Sequence, residues 1–152
     1  MPHKKRLVFI SHSGMDTWVA RQIAREVSAC GAEPFLDQLE IEIGENFEAK
    51  ILDSLRRADE LFVLLTPWAL ERPYVWAELG AAWGKGLRII GVLHGMSATE
   101  LQLRPGVPVF LKADNLIELN DVGLYFEQLK ARAGRKRAVK SRPGATKGRR
   151  RG

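Results

Sequence analysis

Leu61-Phe62-Val63-Leu64-Leu65-Thr66-Pro67, followed five residues later by Pro73-Tyr74-Val75-Trp76-Ala77-Glu78-Leu79-Gly80-Ala81-Ala82-Trp83-Gly84, decides how this chain folds. The first segment is an unbroken apolar run of β-forming residues, the pattern of a strand buried on both faces of a parallel sheet. The second reads as a helix. Pro73 suits the first turn, where its missing N–H is no loss, and Gly84 or Gly86 suits the C-terminal stop. Trp76, Leu79 and Trp83 recur at i, i+3 and i+7 as an apolar stripe, while Val75 and Ala82 flank Glu78 at i−3 and i+4. Gly80 costs about 1 kcal/mol relative to Ala inside a helix, which makes sense where a backbone or ligand approaches closely. Glu78 is the only charged residue of this helix, and a carboxylate so surrounded reads as a partly buried functional group rather than a solvated surface charge.

Toward the N-terminus, Leu7-Val8-Phe9-Ile10 is another short strand, ending in the polar sequence Ser11-His12-Ser13-Gly14. Asp16 can cap a helix over residues 17–30, whose Val19, Ile23 and Val27 share one face. Gly31 ends it. Residues 33–37 form a second strand, placed at a sheet edge by Pro34. A loop over 38–45 leads to a helix over 46–58, with Phe47, Ile51 and Leu55 at spacing four. Toward the C-terminus, residues 88–93 read as a fourth strand, 96–106 as an irregular polar connection and 107–111 as a fifth strand. The last helix covers 122–133, with Leu124, Phe126 and Leu129 available for packing.

Strands alternating with helices of this length predict an α/β fold with a parallel sheet covered on both faces. Right-handed crossovers leave few topologies, and the expected one is flavodoxin-like: five parallel strands in the order 2-1-3-4-5, flanked by helices in three layers. Ligands of such sheets bind beyond the carboxyl ends of the strands, near the switch point. That edge is built here from residues 11–14, 38–45 and 66–74, and Glu78, in the first two turns of its helix, can face the same crevice.

The length of 152 residues suits one domain, read as residues 5–134, with a basic and disordered tail over 135–152. Of the chain's 24 Lys and Arg, nine lie from Arg135 onward, where there is no acid; 15 remain against 18 Asp and Glu in the folded part. The net charge of +6 therefore describes the tail rather than the domain. The tail is read as solubilising, or as a site for nucleic acid or an acidic partner; without aromatics, such binding would be non-specific. The single cysteine, Cys30, has no partner for an internal disulfide and reads as a small core residue. Residues 7–10 are too short for the apolar core of a signal peptide, and no run approaches the roughly 18–20 apolar residues that span a bilayer. A soluble, cytoplasmic domain without membrane contact is expected.

Gly14, Gly44 and Gly80 form neither a G-x-G-x-x-G nor a Walker pattern, which argues against a redox dinucleotide enzyme or an NTPase. His3, His12 and His94 lack metal-ligand spacing, so no metal is expected; no bound cofactor is expected either. Ser11 and Ser13 stand in no G-x-S-x-G elbow and read as loop-formers and polar contacts. Trp18 and Trp83 read as core or helix-packing residues; Trp68 covers a pocket or an interface.

This set of segments resembles the TIR (Toll/interleukin-1 receptor) domain of the bacterial, NAD-hydrolysing type, over about residues 6–133. The resemblance is carried by Val8-Phe9-Ile10-Ser11-His12-Ser13 with Asp16 downstream, by Phe35-Leu36-Asp37 leading to Gly44, and by Leu64-Leu65-Thr66-Pro67 followed by Trp76-Ala77-Glu78-Leu79. It implies an NAD+ glycohydrolase or cyclase that cleaves the nicotinamide–ribose bond, with NAD+ as substrate and Glu78 as the catalytic residue. It further implies nucleotide contacts at Ser11, Ser13, Gly14 and Glu42, and an aromatic at Tyr74 or Trp76 to stack on the substrate. Family enzymes often carry Trp where this chain has Tyr74. Self-association is implied as well, with the loop over 38–45, where Glu40, Glu42 and Glu45 alternate with Leu39, Ile41 and Ile43, gating the pocket or docking on a neighbouring domain. An anti-phage or stress-signalling role would follow.

Two other classes fit the same residues. One is a non-catalytic TIR adaptor that works by homotypic docking. The other is a nucleoside deoxyribosyltransferase-like enzyme, using a similar fold and glutamate on a nucleoside. Glu78 in an apolar helix favours an enzyme over the adaptor.

Overall fold

β3 (Glu60–Leu65) is buried at all six positions, because β1 (Leu7–Ser11) hydrogen-bonds one side of it and β4 (Arg88–Leu93) the other. This is the central strand expected of its apolar run. β2 (Glu33–Leu36) pairs with β1, and β5 (Leu116–Glu118) with β4, giving an all-parallel sheet in the order β2-β1-β3-β4-β5. The predicted order is the observed one. The computed structural model describes residues 4–36, 47–108, 111 and 115–141.

Side chains alternate across the sheet, as the pleat requires. Phe9, Leu61, Val63 and Leu65 point to the face covered by α2 (Phe47–Arg57) and α3 (Pro73–Gly84). Val8, Ile10, Phe62 and Leu64 point to the other, where α1 (Thr17–Ala29) supplies Ile23 and Val27 and α5 (Val122–Ser141) supplies Tyr125 and Leu129. The result is three layers with two apolar cores. Cys30 lies at the margin of the second, its thiol donating to the carbonyl of Phe126 at 3.4 Å; burial pushes the thiol pKa up.

The fifth strand is not where the sequence places it. Residues 107–111 carry the better β-formers, yet Pro108 has no N–H to give to a ladder, and Leu111 donates its own N–H to the Pro108 carbonyl; residues 109 and 110 lie outside the described residues. The sheet is completed instead by Leu116, Ile117 and Glu118. Gly91 makes room for them: a Cβ there would stand 2.8 Å from Leu116 Cδ2 and 3.1 Å from Leu65 Cδ1. The connection over 96–106 also differs from expectation, containing a short helix, α4 (Ala98–Leu103). Ser97 caps it, its hydroxyl accepting from the Glu100 N–H at 3.1 Å in a Ser-x-x-Glu sequence. α5 continues past Ala133 to Ser141, into the segment read as tail; residues 142–152 lie outside the described residues.

Two tryptophans read as packing residues are largely exposed, Trp18 by 71% and Trp83 by 58%. α3 is apolar nearly all round, so periodicity could not choose its inner face. That face is Val75, Glu78, Leu79 and Ala82, which leaves Trp83 turned outward.

At the amino end of the sheet, Glu60 is a fully buried carboxylate that joins three distant segments. Its oxygens accept from Arg6 Nε at 2.7 Å, Tyr125 Oη at 2.5 Å, and Arg132 Nε and Nη2 at 3.2 and 3.1 Å. Burial alone would raise the Glu60 carboxyl; the hydrogen bonds from Tyr125, Arg132 and Arg6 outweigh it and hold the carboxyl below its usual range. Burial, and then the Glu60 charge, push the Tyr125 hydroxyl pKa far up. This network pins α5 and the entry to β1 against β3.

Candidate functional site

Burying a polar group costs free energy unless something compensates, so where such groups gather is informative. Among the described residues the buried polar and charged side chains are Ser11, His12, Ser13, Asp16, Glu60, Thr66 and Glu78. Apart from Glu60, all lie on the carboxyl ends of β1 and β3 or on the segments that follow them. The sheet order sets these two ends side by side at the switch point.

β1 ends at Ser11, whose buried hydroxyl has no hydrogen-bond partner among the described residues. A 3₁₀ turn over Gly14–Asp16 follows, with Ser13 as its cap: the Ser13 hydroxyl accepts from the Met15 N–H at 3.2 Å. Gly14 is exposed, with open space where a Cβ would stand. Asp16, expected to cap α1, makes no cap bond. Its carboxylate instead accepts from the Thr66 hydroxyl at 2.6 Å, beyond the end of β3. The Thr66 oxygen in turn accepts from the Ala69 N–H at 3.1 Å, at the start of a 3₁₀ turn over Ala69–Glu71. The sequence alone does not mark Thr66; its place in the strand-end sequence Leu65-Thr66-Pro67 is the available signal.

α3 starts at Pro73, and Glu78 follows in its second turn. Glu78 is fully buried, both carboxylate oxygens out of contact with solvent, on the helix face that Val75, Leu79 and Ala82 turn into the core. The two aromatics singled out beside it are half-buried and anchored through their polar atoms. Tyr74 donates its hydroxyl to the His12 carbonyl at 3.1 Å, and Trp76 donates its indole N–H to the Leu70 carbonyl at 2.8 Å. The structure thus gathers Ser11, Ser13, Gly14 and Tyr74 at one sheet edge, with Glu78 on the helix that leaves it. Glu42 and the loop over 38–45 lie outside the described residues.

Among the described residues, two cavities stand elsewhere, and Glu78 lines neither. One, of about 360 Å³, lies at the carboxyl ends of β4 and β5 between His94, Ser97, Glu100, Glu118 and Asn120. The other, of about 380 Å³, lies beside Ile90, Leu116, Tyr125 and Arg132. Buried polar chemistry, rather than cavity size, identifies the β1–β3 edge as the candidate site. Among the described residues no group of three or more His, Cys, Asp or Glu could hold a metal ion, and no helix is long and apolar enough to cross a membrane.

A family model described as the TIR domain matches residues 8–128. The chain belongs to the TIR domain family. Residues 8–128 run from β1 through the Glu78 helix into α5, so the site lies wholly inside the TIR match. Among curated proteins, this TIR domain is similar to a probable 2′ cyclic ADP-D-ribose synthase of Brachypodium distachyon, 26% identical over 102 residues. That match covers 66% of this chain and 46% of the relative, so the chain spans less than half of the plant protein's length. Among solved structures it resembles the TIR domain of a Toll-related receptor from Hydra magnipapillata, with a TM-score of 0.61, 21% identity and coverage of 84% of this chain and 97% of that one. It also resembles a metazoan TIR-STING receptor from C. gigas (TM-score 0.54, 15% identity, 86% of this chain and 41% of that one). A prokaryotic SEFIR domain superposes with a TM-score of 0.53 at 18% identity, over 97% and 99% of the two chains. These structural likenesses establish the TIR fold.

Proposed function

We propose that this TIR domain cleaves the bond between nicotinamide and ribose in NAD+, with Glu78 as the catalytic carboxylate. The observation that carries the reading is the complete burial of Glu78 on the apolar face of α3, the helix that follows the central strand from the carboxyl edge of the sheet, where ligands of such folds bind. The similarity to a probable cyclic ADP-D-ribose synthase supports it.

The chemistry suits one carboxylate. When the C1′–N bond breaks, its electron pair leaves with nicotinamide, which departs as a neutral base and needs no acid. The difficulty is the cation left on the ribose. A carboxylate beside the ring stabilises that charge, or holds the ribose hydroxyls in place, as in glycoside hydrolysis. In a water-poor surrounding its field is stronger than in bulk solvent. Water adding to C1′ and losing a proton gives ADP-ribose; a hydroxyl of the same molecule doing so gives a cyclic isomer. In this reading Ser11, Ser13 and Gly14 border the nucleotide, and Glu42 contacts it from the loop over 38–45. That loop also docks on a second TIR domain, so self-association regulates the site.

Chromatography of NAD+ incubated with concentrated wild-type protein and with Glu78→Ala tests the reading. Release of nicotinamide by the wild type and its loss in the variant support it, and the second product peak separates hydrolysis from cyclisation. If neither protein consumes NAD+, the adaptor that works by homotypic docking takes its place.

A further inference from the structure

The turn that follows β1 is held at one end by the first turn of α3 and at the other by the residue that follows β3. At its start the His12 carbonyl accepts from Tyr74 Oη at 3.1 Å; at its end the Asp16 carboxylate accepts from Thr66 Oγ1 at 2.6 Å. Ser13 and Gly14 lie between these two ties. On the opposing side, Thr66 and Tyr74 bracket the segment that leads from β3 into α3. One hydrogen bond between two loops leaves them free to pivot. Two, several residues apart, fix their relative position.

The Asp16–Thr66 bond is the less expected of the two. Asp16 is 4% exposed and stands at the N-cap of α1, where an aspartate ordinarily accepts from its own helix. Here the side chain reaches instead across 50 residues of sequence. Thr66, fully buried, gives its one hydroxyl proton to Asp16 and accepts from the Ala69 N–H, so its oxygen is used on both sides. Hydrogen bonds to an ionised acceptor are short and roughly twice as strong as neutral ones.

We propose that Asp16 and Thr66 are positioning residues: with the Tyr74–His12 bond, they clamp the Ser13–Gly14 turn to the start of the Glu78 helix and so set where the carboxylate stands relative to the bound substrate. The inference rests on the Glu78-centred reading of the site. Neither residue needs to touch the substrate; both act through the geometry they hold. A displacement near 1 Å at a reacting group can lower a rate about 10²-fold, so such a clamp governs turnover more than binding.

The test compares Thr66→Val, which keeps the shape and loses the hydroxyl, with Thr66→Ser, which keeps the hydroxyl. Nicotinamide release gives kcat and KM, and amide hydrogen exchange reports residues 12–16 and Ala69 alongside the core strands. In Thr66→Val, kcat is expected to fall roughly tenfold or more with KM within about threefold, while Thr66→Ser stays within about twofold of wild type. Exchange should quicken in the Val variant at residues 12–16 and Ala69, and stay unchanged in β3 and β4. Wild-type kcat and exchange in Thr66→Val overturn the clamp, as does exchange that quickens equally in β3 and β4. If Thr66→Val does not fold, Tyr74→Phe carries the same comparison through the second tie. If the wild type itself releases no nicotinamide, the proposed activity fails, and the exchange pattern alone then decides for or against the clamp.

Discussion

Glu60 and Arg132 form a two-bond pair, with Arg132 Nη2 3.1 Å from one carboxylate oxygen and Nε 3.2 Å from the other. They are 72 residues apart in sequence, and Arg6 and Tyr125 complete the carboxylate's surroundings. Removing the charge while keeping the shape leaves two mostly buried guanidiniums without their anion. Breaking such a pair from one side typically costs about 3–5 kcal/mol. Glu60→Gln is therefore expected to unfold at markedly lower urea concentration than wild type. The site at the other end of β3 should keep its activity wherever the variant is folded.

The same network sets an acid limit. The Glu60 carboxyl is held below its ordinary value of 4.5, so it binds a proton less readily in the folded chain than in the unfolded one. Its stabilisation is fully present above that value and is lost as pH falls through the lower, folded-state pKa. Urea unfolding of wild type and Glu60→Gln should differ by a constant amount from neutral pH down to about pH 5, and the gap should narrow below it.

How much of this is legible in the sequence depends on the range over which sequence patterns act. The apolar run at residues 61–65 and the alternation around it led to the sheet order, because burial on both faces leaves a continuous hydrophobic signature. Glu78 could be singled out because a lone charge among the residues of α3 is a local anomaly. Long-range polar contacts leave no such trace. Asp16 looks like a helix cap until Thr66 is seen beside it, and nothing in the spacing of Arg6, Glu60 and Arg132 announces their meeting. Trp83 misled for a different reason: one residue along a helix turns about 100°, and with apolar side chains all round α3, either side could have been inward. β5 is hidden in the sequence because three residues make a weak pattern beside the stronger but proline-containing run at 107–111.

Gly91 is where β5 depends on its neighbour. A methyl group at this position would stand 2.8 Å from Leu116 Cδ2, 3.1 Å from Leu65 Cδ1 and 3.4 Å from the Asn115 carbonyl. The two leucine tips can give way, but the Asn115 backbone limits how far. Gly91→Ala is expected to cost about 1–3 kcal/mol, the usual range for overpacking. Hydrogen exchange should show amides of Leu116, Ile117 and Glu118 losing protection before those of β3.

The most direct measurement is the rate of nicotinamide release from NAD+ by the wild type and by Glu78→Gln, with circular dichroism confirming that both are folded. Glutamine keeps the size of the side chain and removes the negative charge that the developing ribose cation needs. The variant's rate is expected to be lower by about 10² or more, a loss on the scale of removing one transition-state electrostatic contact. A Glu78→Gln protein that releases nicotinamide at the wild-type rate would contradict it.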